Sequence, residues 1–137
     1  MNGKEYHVVG LMSGTSLDGL DIAHCTFTEG AAWHYRINDA VTVPYPAELQ
    51  DRLQRATGLS GLELSLLDVE LGVFMGREVD RFLMARRLNV DFVSGHGHTV
   101  FHQPDKGLTL QIGSPAHIAA RSTYPVIADF RTKDVAL

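Results

Sequence analysis

Apolar positions along the chain switch repeatedly between period two and a period near 3.6, and that alternation predicts an α/β domain. His7 to Met12 is a short apolar run that reads as a strand. The turn-rich stretch Ser13-Gly14-Thr15-Ser16-Leu17-Asp18-Gly19 follows it. Leu20 to Phe27 resumes as a strand, Glu29-Gly30 is a second turn signal, and Trp33 to Val43 reads as a third strand. Three strands joined by two short connections predict an antiparallel meander.

Helical spacing comes next. Pro44 and Pro46 stop the third strand, and Pro46 suits a first helical position. Leu49, Leu53 and Ala56 share a helical face, and Thr57-Gly58 closes that helix. Ser60 with Glu63 is a capping-box signature, opening a helix that runs to about Arg87. Leu62, Leu66, Val69 and Val73 form its apolar stripe, continued by Met75, Val79 and Phe82. Gly72 and Gly76, one turn apart, suit close packing against a sheet or a neighbouring helix. The charges on Glu70, Arg77 and Glu78 exclude a membrane dimer motif. Phe92-Val93 begins a buried strand ending at Gly95-His96-Gly97. Thr99 to His102 and Leu108 to Ile112 predict a hairpin around Pro104-Asp105-Lys106-Gly107. Ser114 is placed to cap a short helix with Pro115 at its first position. Val126-Ile127-Ala128 is a last short strand. The sheet so counted has five strands: the meander, Phe92 to Gly95, and Val126 to Ala128. No closing helix is expected after Ala128.

Composition narrows the class. The 137 residues are the size of one domain. Twelve basic against sixteen acidic residues give a net charge of −4, which supplies no field for nucleic acid or an anionic membrane. Apolar residues at 45% and charged residues at 20% fit a globular protein rather than a disordered one. Apolar runs such as Leu66-Leu67 are too short to span a bilayer, and Met1 to Tyr6 has no signal-peptide stretch. One cysteine, Cys25, forms no internal disulfide and reads as a small core hydrophobe. Trp33 and Tyr35 are expected to pack on the third strand. His7, His24 and His34 read as surface or half-buried residues. A cytoplasmic, soluble single domain is the expectation.

The first connection carries the most chemistry. Gly14, Thr15, Ser16, Leu17, Asp18, Gly19, Leu20 and Asp21 combine glycines, hydroxyls and carboxylates between two strands. That setting, and the lack of a Gly-Lys-Ser/Thr, excludes a Walker A loop, and it excludes a dinucleotide fingerprint. Glycines still let backbone N–H groups approach an anion, and Thr15 and Ser16 add hydroxyl donors. A carboxylate beside phosphate needs a cation between them, so Asp18 or Asp21 implies Mg²⁺, held through waters. The plain alternative is a hairpin turn with an Asx cap.

Gly10-Leu11-Met12-Ser13-Gly14-Thr15-Ser16-Leu17-Asp18-Gly19-Leu20-Asp21 closely resembles the anhydro-N-acetylmuramic acid kinases, within the actin, Hsp70 and sugar-kinase superfamily. Gly95-His96-Gly97-His98-Thr99 resembles that family's His-Gly-Gln-Thr segment. Thr109 to Gly113, Ala128 to Arg131 and Asp134 to Ala136 resemble its next block. The resemblance runs from about Val8 to Leu137. It implies a ribonuclease-H-like, actin-type ATPase lobe, with a mixed five-stranded sheet and flanking helices. It implies an enzyme of peptidoglycan recycling that uses ATP, Mg²⁺ and water to open the 1,6-anhydro ring and phosphorylate O6. On this reading Gly14 to Asp21 cradle the ATP phosphates. The partners are ATP and an amino sugar, and the family suggests a homodimer.

Two departures from the wider pattern stand out. Met12 occupies the position where the superfamily usually has an aspartate, so metal organisation falls on Asp18, Asp21 or residues elsewhere. His98 stands where the family usually has Gln, keeping a donor and an acceptor with a different reach. His96, His98 and His102 have even spacing and would share one face of a regular strand. Zinc is one use for them; polar contacts to a sugar, from His96, Gly97, His98 and Thr99, are the preferred one. Asp129 could bind sugar hydroxyls and Arg131 a lactyl carboxylate, or the two could form a local ion pair. The resemblance places the catalytic base in a segment downstream of Leu137, so the chain is expected to be an amino-terminal lobe without turnover of its own. A non-catalytic module that binds nucleotide or sugar, or serves as an interaction domain, is the alternative.

Overall fold

The computed structural model describes residues 3–137. The meander forms as β1 (Glu5–Ser13), β2 (Leu20–Thr28) and β3 (His34–Val43), each pair antiparallel. Then come α1 (Ala47–Gln54), a 3-10 turn at Ala56–Gly58, and α2 (Gly61–Arg86). β4 (Phe92–Gln103), β5 (Leu108–Ile112), α3 (Pro115–Ser122), β6 (Val126–Ala128) and α4 (Phe130–Ala136) complete the chain. The sheet order is β3-β2-β1-β4-β5, with β6 also paired to β4. β4 runs parallel to β1 and β6 through its first half and antiparallel to β5 through its second. Among the described residues no helix is long and apolar enough to cross a membrane.

The α/β class and the mixed sheet are as the sequence predicts, but two counts change. The sheet has six strands, not five, because the expected strands at Phe92 and Thr99 are one continuous β4 and the hairpin partner β5 joins the same sheet. A helix, α4, does follow Ala128. Pro46 sits at the N-cap of α1 rather than its first turn. Ser60 and Glu63 make the full capping box, and Ser114 and Pro115 hold the positions expected of them.

Apolar alternation puts Val9 and Leu11 of β1, Leu20 and Ile22 of β2, and Val93 of β4 into one core with the helices. The stripe of α2 that meets them is Leu67, Leu71, Met75, Val79 and Phe82, each buried and worth roughly 1.5–3 kcal/mol. Leu62, Leu66 and Val69, expected in that stripe, are exposed. Two apolar stripes run side by side on α2, and the sheet selects the one in line with Gly72 and Gly76. A helix of 26 residues is also longer than the nine-residue strands beneath it, so its first turns overhang.

Those glycines let α3 approach α2. A Cβ on Gly72 would lie 2.6 Å from the Ser114 carbonyl oxygen, and one on Gly76 would lie 2.6 Å from Arg121 Cβ. The sheet face away from the helices is more open: Tyr35 and Ile37 on β3 are exposed, and Cys25 is half-buried rather than in the core. Trp33 reaches back to Tyr6, with ring centroids 5.9 Å apart.

His24 is buried, contrary to the sequence expectation, with its Nε2 3.4 Å from His7 Nδ1. His98 is buried as well. Burial holds both imidazoles below the usual 6.5, and the neighbouring His7 adds to the effect at His24.

Two outcomes are expected. Gly72→Ala gains about 1 kcal/mol in helix propensity, but its methyl meets backbone that cannot swing aside, so a net loss of about 1–3 kcal/mol should appear in urea unfolding. Equal or greater stability would show that α3 does not sit this close. The depressed histidines bind fewer protons folded than unfolded, so their contribution is complete above about pH 6.5 and is lost as the pH falls through the folded values. The melting temperature should therefore drop between about pH 7 and pH 5, and less steeply in a His24→Asn variant. A flat profile in the wild type would remove this contribution.

Candidate functional site

The loop between β1 and β2 is built on a turn in which Leu17 N–H donates to the Gly14 carbonyl (3.2 Å). Leu17 adopts a left-handed conformation, φ 57°, uncommon for a branched residue. Its side chain packs against the core, and its carbonyl accepts from Gln50 Nε2 of α1 (2.9 Å). Thr15, Ser16 and Asp18 stay exposed. Their backbone N–H groups take no partner among the described residues, so they are available to an anion. Gly14 also has room: a Cβ there would meet only Ser16 Oγ, at 3.6 Å. Gly19 has none, since a Cβ would lie 2.3 Å from the Val43 carbonyl oxygen.

Below the loop lies a buried polar group. Ser13 ends β1, Tyr45 lies between the two prolines, and His98 lies on β4. The Tyr45 hydroxyl donates to Ser13 Oγ (2.6 Å), and Ser13 Oγ is 3.0 Å from His98 Nδ1. Burial pushes the Tyr45 phenol above its usual range, so it stays a neutral donor. His98 and Thr99 then line a cleft of about 290 Å³ with Thr15, Ser16 and Leu17 of the loop and Leu53, Gln54, Ala56 and Thr57 on the far side.

One residue separates this cleft from a second. Three steps along β4, Gly95 to His98, oppose two along β1, Leu11 to Ser13. The extra residue is a bulge, and Gly97 takes φ 75° there. A Cβ on Gly97 would lie 2.6 Å from the Ile112 carbonyl oxygen, so only glycine fits. The bulge ends the shared face expected of His96, His98 and His102. His98 serves the loop cleft and His102 bonds Thr109 Oγ1 (3.2 Å). His96 serves a cleft of about 360 Å³ with Gly97, Gln111, Asp129 and Thr132.

Asp129 is held at φ 59° and accepts from the Thr132 hydroxyl. Arg131 Nη1 is 3.5 Å from His96 Nε2. The local Asp129–Arg131 ion pair does not form; Arg131 Nε is buried without a partner among the described residues, as is Gln111 Oε1. Unspent donors and acceptors beside an open cleft suit a polyhydroxylated ligand. Asp18 makes no side-chain hydrogen bond or ion pair among the described residues, whereas the Asp21 carboxylate accepts from Thr42 Oγ1 across the β2–β3 pair. Cys25 is no candidate nucleophile, because burial raises its thiol.

The structure thus brings Thr15, Ser16, Leu17, His98 and Thr99 to one cleft and His96, Gly97 and Asp129 to the other, with Arg131 behind His96. Sequence reasoning passed over Ser13, Tyr45 and Gln111. Pro44-Tyr45-Pro46 offered a signal, since prolines on both sides fix a tyrosine's direction. Gln111 alternates with buried Ile112 and had none.

Comparison with known proteins places the chain in a family. The family model described as anhydro-N-acetylmuramic acid kinase matches residues 6–137. Proteins named anhydro-N-acetylmuramic acid kinase from Shewanella loihica and Francisella tularensis subsp. novicida are 37% and 34% identical, over 98% and 97% of this chain. The one from Salinibacter ruber is 38% identical over 95% of it. The chain spans 38%, 38% and 36% of the length of these relatives. With the family model matched over nearly all of its residues, the chain belongs to the anhydro-N-acetylmuramic acid kinase family.

Proposed function

We propose that this chain is the phosphate-gripping, amino-terminal part of a kinase that opens the 1,6-anhydro ring of anhydro-N-acetylmuramic acid with water and transfers the ATP γ-phosphoryl group to O6. The observation that supports it best is the loop cleft. Thr15 and Ser16, whose backbone N–H groups take no partner among the described residues, line it together with the His98 ring. Positioning and charge stabilisation do most of the work in phosphoryl transfer, and this loop offers both. His96, Gly97 and Asp129 line the neighbouring cleft, close enough along the chain for a sugar there to meet phosphate at the bulge. Arg131, whose Nη1 lies 3.5 Å from His96 Nε2, is assigned to the sugar's lactyl carboxylate.

The donor set also fits Mg²⁺. Mg²⁺ keeps several waters and needs only one or two carboxylates, and Asp18 is free while Asp21 has a second oxygen beyond its Thr42 bond. When bound it would neutralise phosphate charge beside these carboxylates. Among the described residues no group of three His, Cys, Asp or Glu is placed to cage a metal directly, which favours contact through water. The catalytic base is assigned to no residue of this chain. A cytoplasmic location and a homodimer, both implied by the family resemblance, belong to the same proposal.

Gly14→Val is the test, because a Cβ at this position meets nothing closer than Ser16 Oγ, at 3.6 Å, in the free loop, whereas a branched side chain would crowd a phosphate held against it. Each backbone bond to a charged group contributes about 1.5–3 kcal/mol, so losing one or two should weaken Mg·ATP binding at least about tenfold in calorimetric titration of the chain. The melting temperature should stay near the wild-type value. Unchanged affinity would take the phosphate role from this loop.

A further inference from the structure

Ser13 has two polar neighbours, the Tyr45 hydroxyl and His98 Nδ1, and it is 2% exposed. A hydroxyl carries one proton, and burial without a partner is costly. If both neighbours donated to Ser13, its own proton would be stranded. If the chain ran from His98 toward Tyr45, the phenol proton would be stranded, since Tyr45 is also buried and has no other partner among the described residues. One direction leaves no orphan: Tyr45 O–H to Ser13, then Ser13 O–H to His98 Nδ1. Nδ1 is then an acceptor, and the neutral ring carries its proton on Nε2. That atom makes no hydrogen bond among the described residues. It is also absent from the buried orphans, Gln111 Oε1 and Arg131 Nε, so it opens to the cleft that His98 lines.

We infer that Tyr45 and Ser13 are positioning residues that lock His98 as the Nε2–H tautomer, making it a fixed, uncharged donor to a phosphate oxygen held by the Thr15–Leu17 loop. The tautomer follows from the proton count alone; the phosphate identity of the acceptor rests on the function proposed above. Burial of the ring disfavours its charged form and holds His98 below the usual range, against an opposing pull from the Ser13 backbone. Titratable groups near the ring are few: Tyr45 reaches it through Ser13, and the cleft's other lining residues, Thr15, Ser16, Gln54, Thr57 and Thr99 among them, carry no charge. The lock gives His98 one donor in a set direction.

Nitrogen-15 spectra of the histidine-labelled chain near neutral pH test the lock, with His98→Gln assigning the resonance. The expected result is an unprotonated Nδ1 and a protonated Nε2 at His98. Tyr45→Phe should convert it to a mixture of tautomers, which loss of packing alone would not do. Adding inorganic triphosphate with Mg²⁺ should shift the Nε2–H signal. His98→Phe should weaken triphosphate binding about tenfold, and His98→Gln should recover most of that loss. A wild-type ring protonated at Nδ1, or a silent Nε2–H while calorimetry registers triphosphate binding, would overturn the inference. Absence of triphosphate binding with the Nε2–H tautomer intact would overturn the phosphate-gripping function and its ligand, leaving the proton order standing.

Discussion

The geometry of both clefts depends on one extra residue in β4. β4 pairs with three strands, parallel to two and antiparallel to the third, and its change of partner falls near Gly97. A regular strand would hold His96 and His98 on one face. The bulge breaks that alternation, and His98 turns to the loop while His96 turns to Asp129 and Arg131. Only a residue without Cβ can occupy the bulge, because the Ile112 carbonyl closes over it. Two clefts with different chemistry therefore adjoin at a single peptide unit.

The rest of the fold holds that unit still. Ser13 and Tyr45 tie His98 to the end of β1 and the entry of α1. Gln50 of α1 and the packed side chain of Leu17 hold the loop from the other side, leaving its tip exposed with its donors unspent. Beyond the bulge, Asp68 of α2 accepts from the Gly113 N–H, and Gly72 lets Ser114 settle on the same helix. A long helix thus braces the far end of β5 while a short one braces the loop. Preorganisation of this kind lets weakly polar groups act together on a charged ligand, since little ordering remains to be done on binding.

Much of the fold was legible in the sequence because it follows from local rules. The meander came from period-two runs and turn residues, and the start of α2 from a capping box that satisfies its own backbone donors. The place of the β1–β2 loop was legible too, since glycines, hydroxyls and an aspartate between two strand patterns mark a turn. Less visible were the face of α2 that meets the sheet and the burial of His24. Periodicity reports that a stripe exists, not which of two adjacent stripes a distant strand will cover. Strand count suffered likewise: a glycine-rich break in pattern reads as an end, though a bulge lets one strand continue.

What the sequence determined by itself was the inventory: a helix-and-strand order, a glycine- and hydroxyl-rich loop between the first two strands, and the family that these residues match. Tertiary structure alone decided how that inventory is shared out. It separated His96 from His98, joined Ser13 to Tyr45 across 32 positions and to His98 across 85, and left Arg131 Nε and Gln111 Oε1 unspent beside a cleft. The reason is physical. Propensity and capping act over a few residues, whereas the partner of a buried polar atom is set by whichever segments the closed core brings within hydrogen-bond reach.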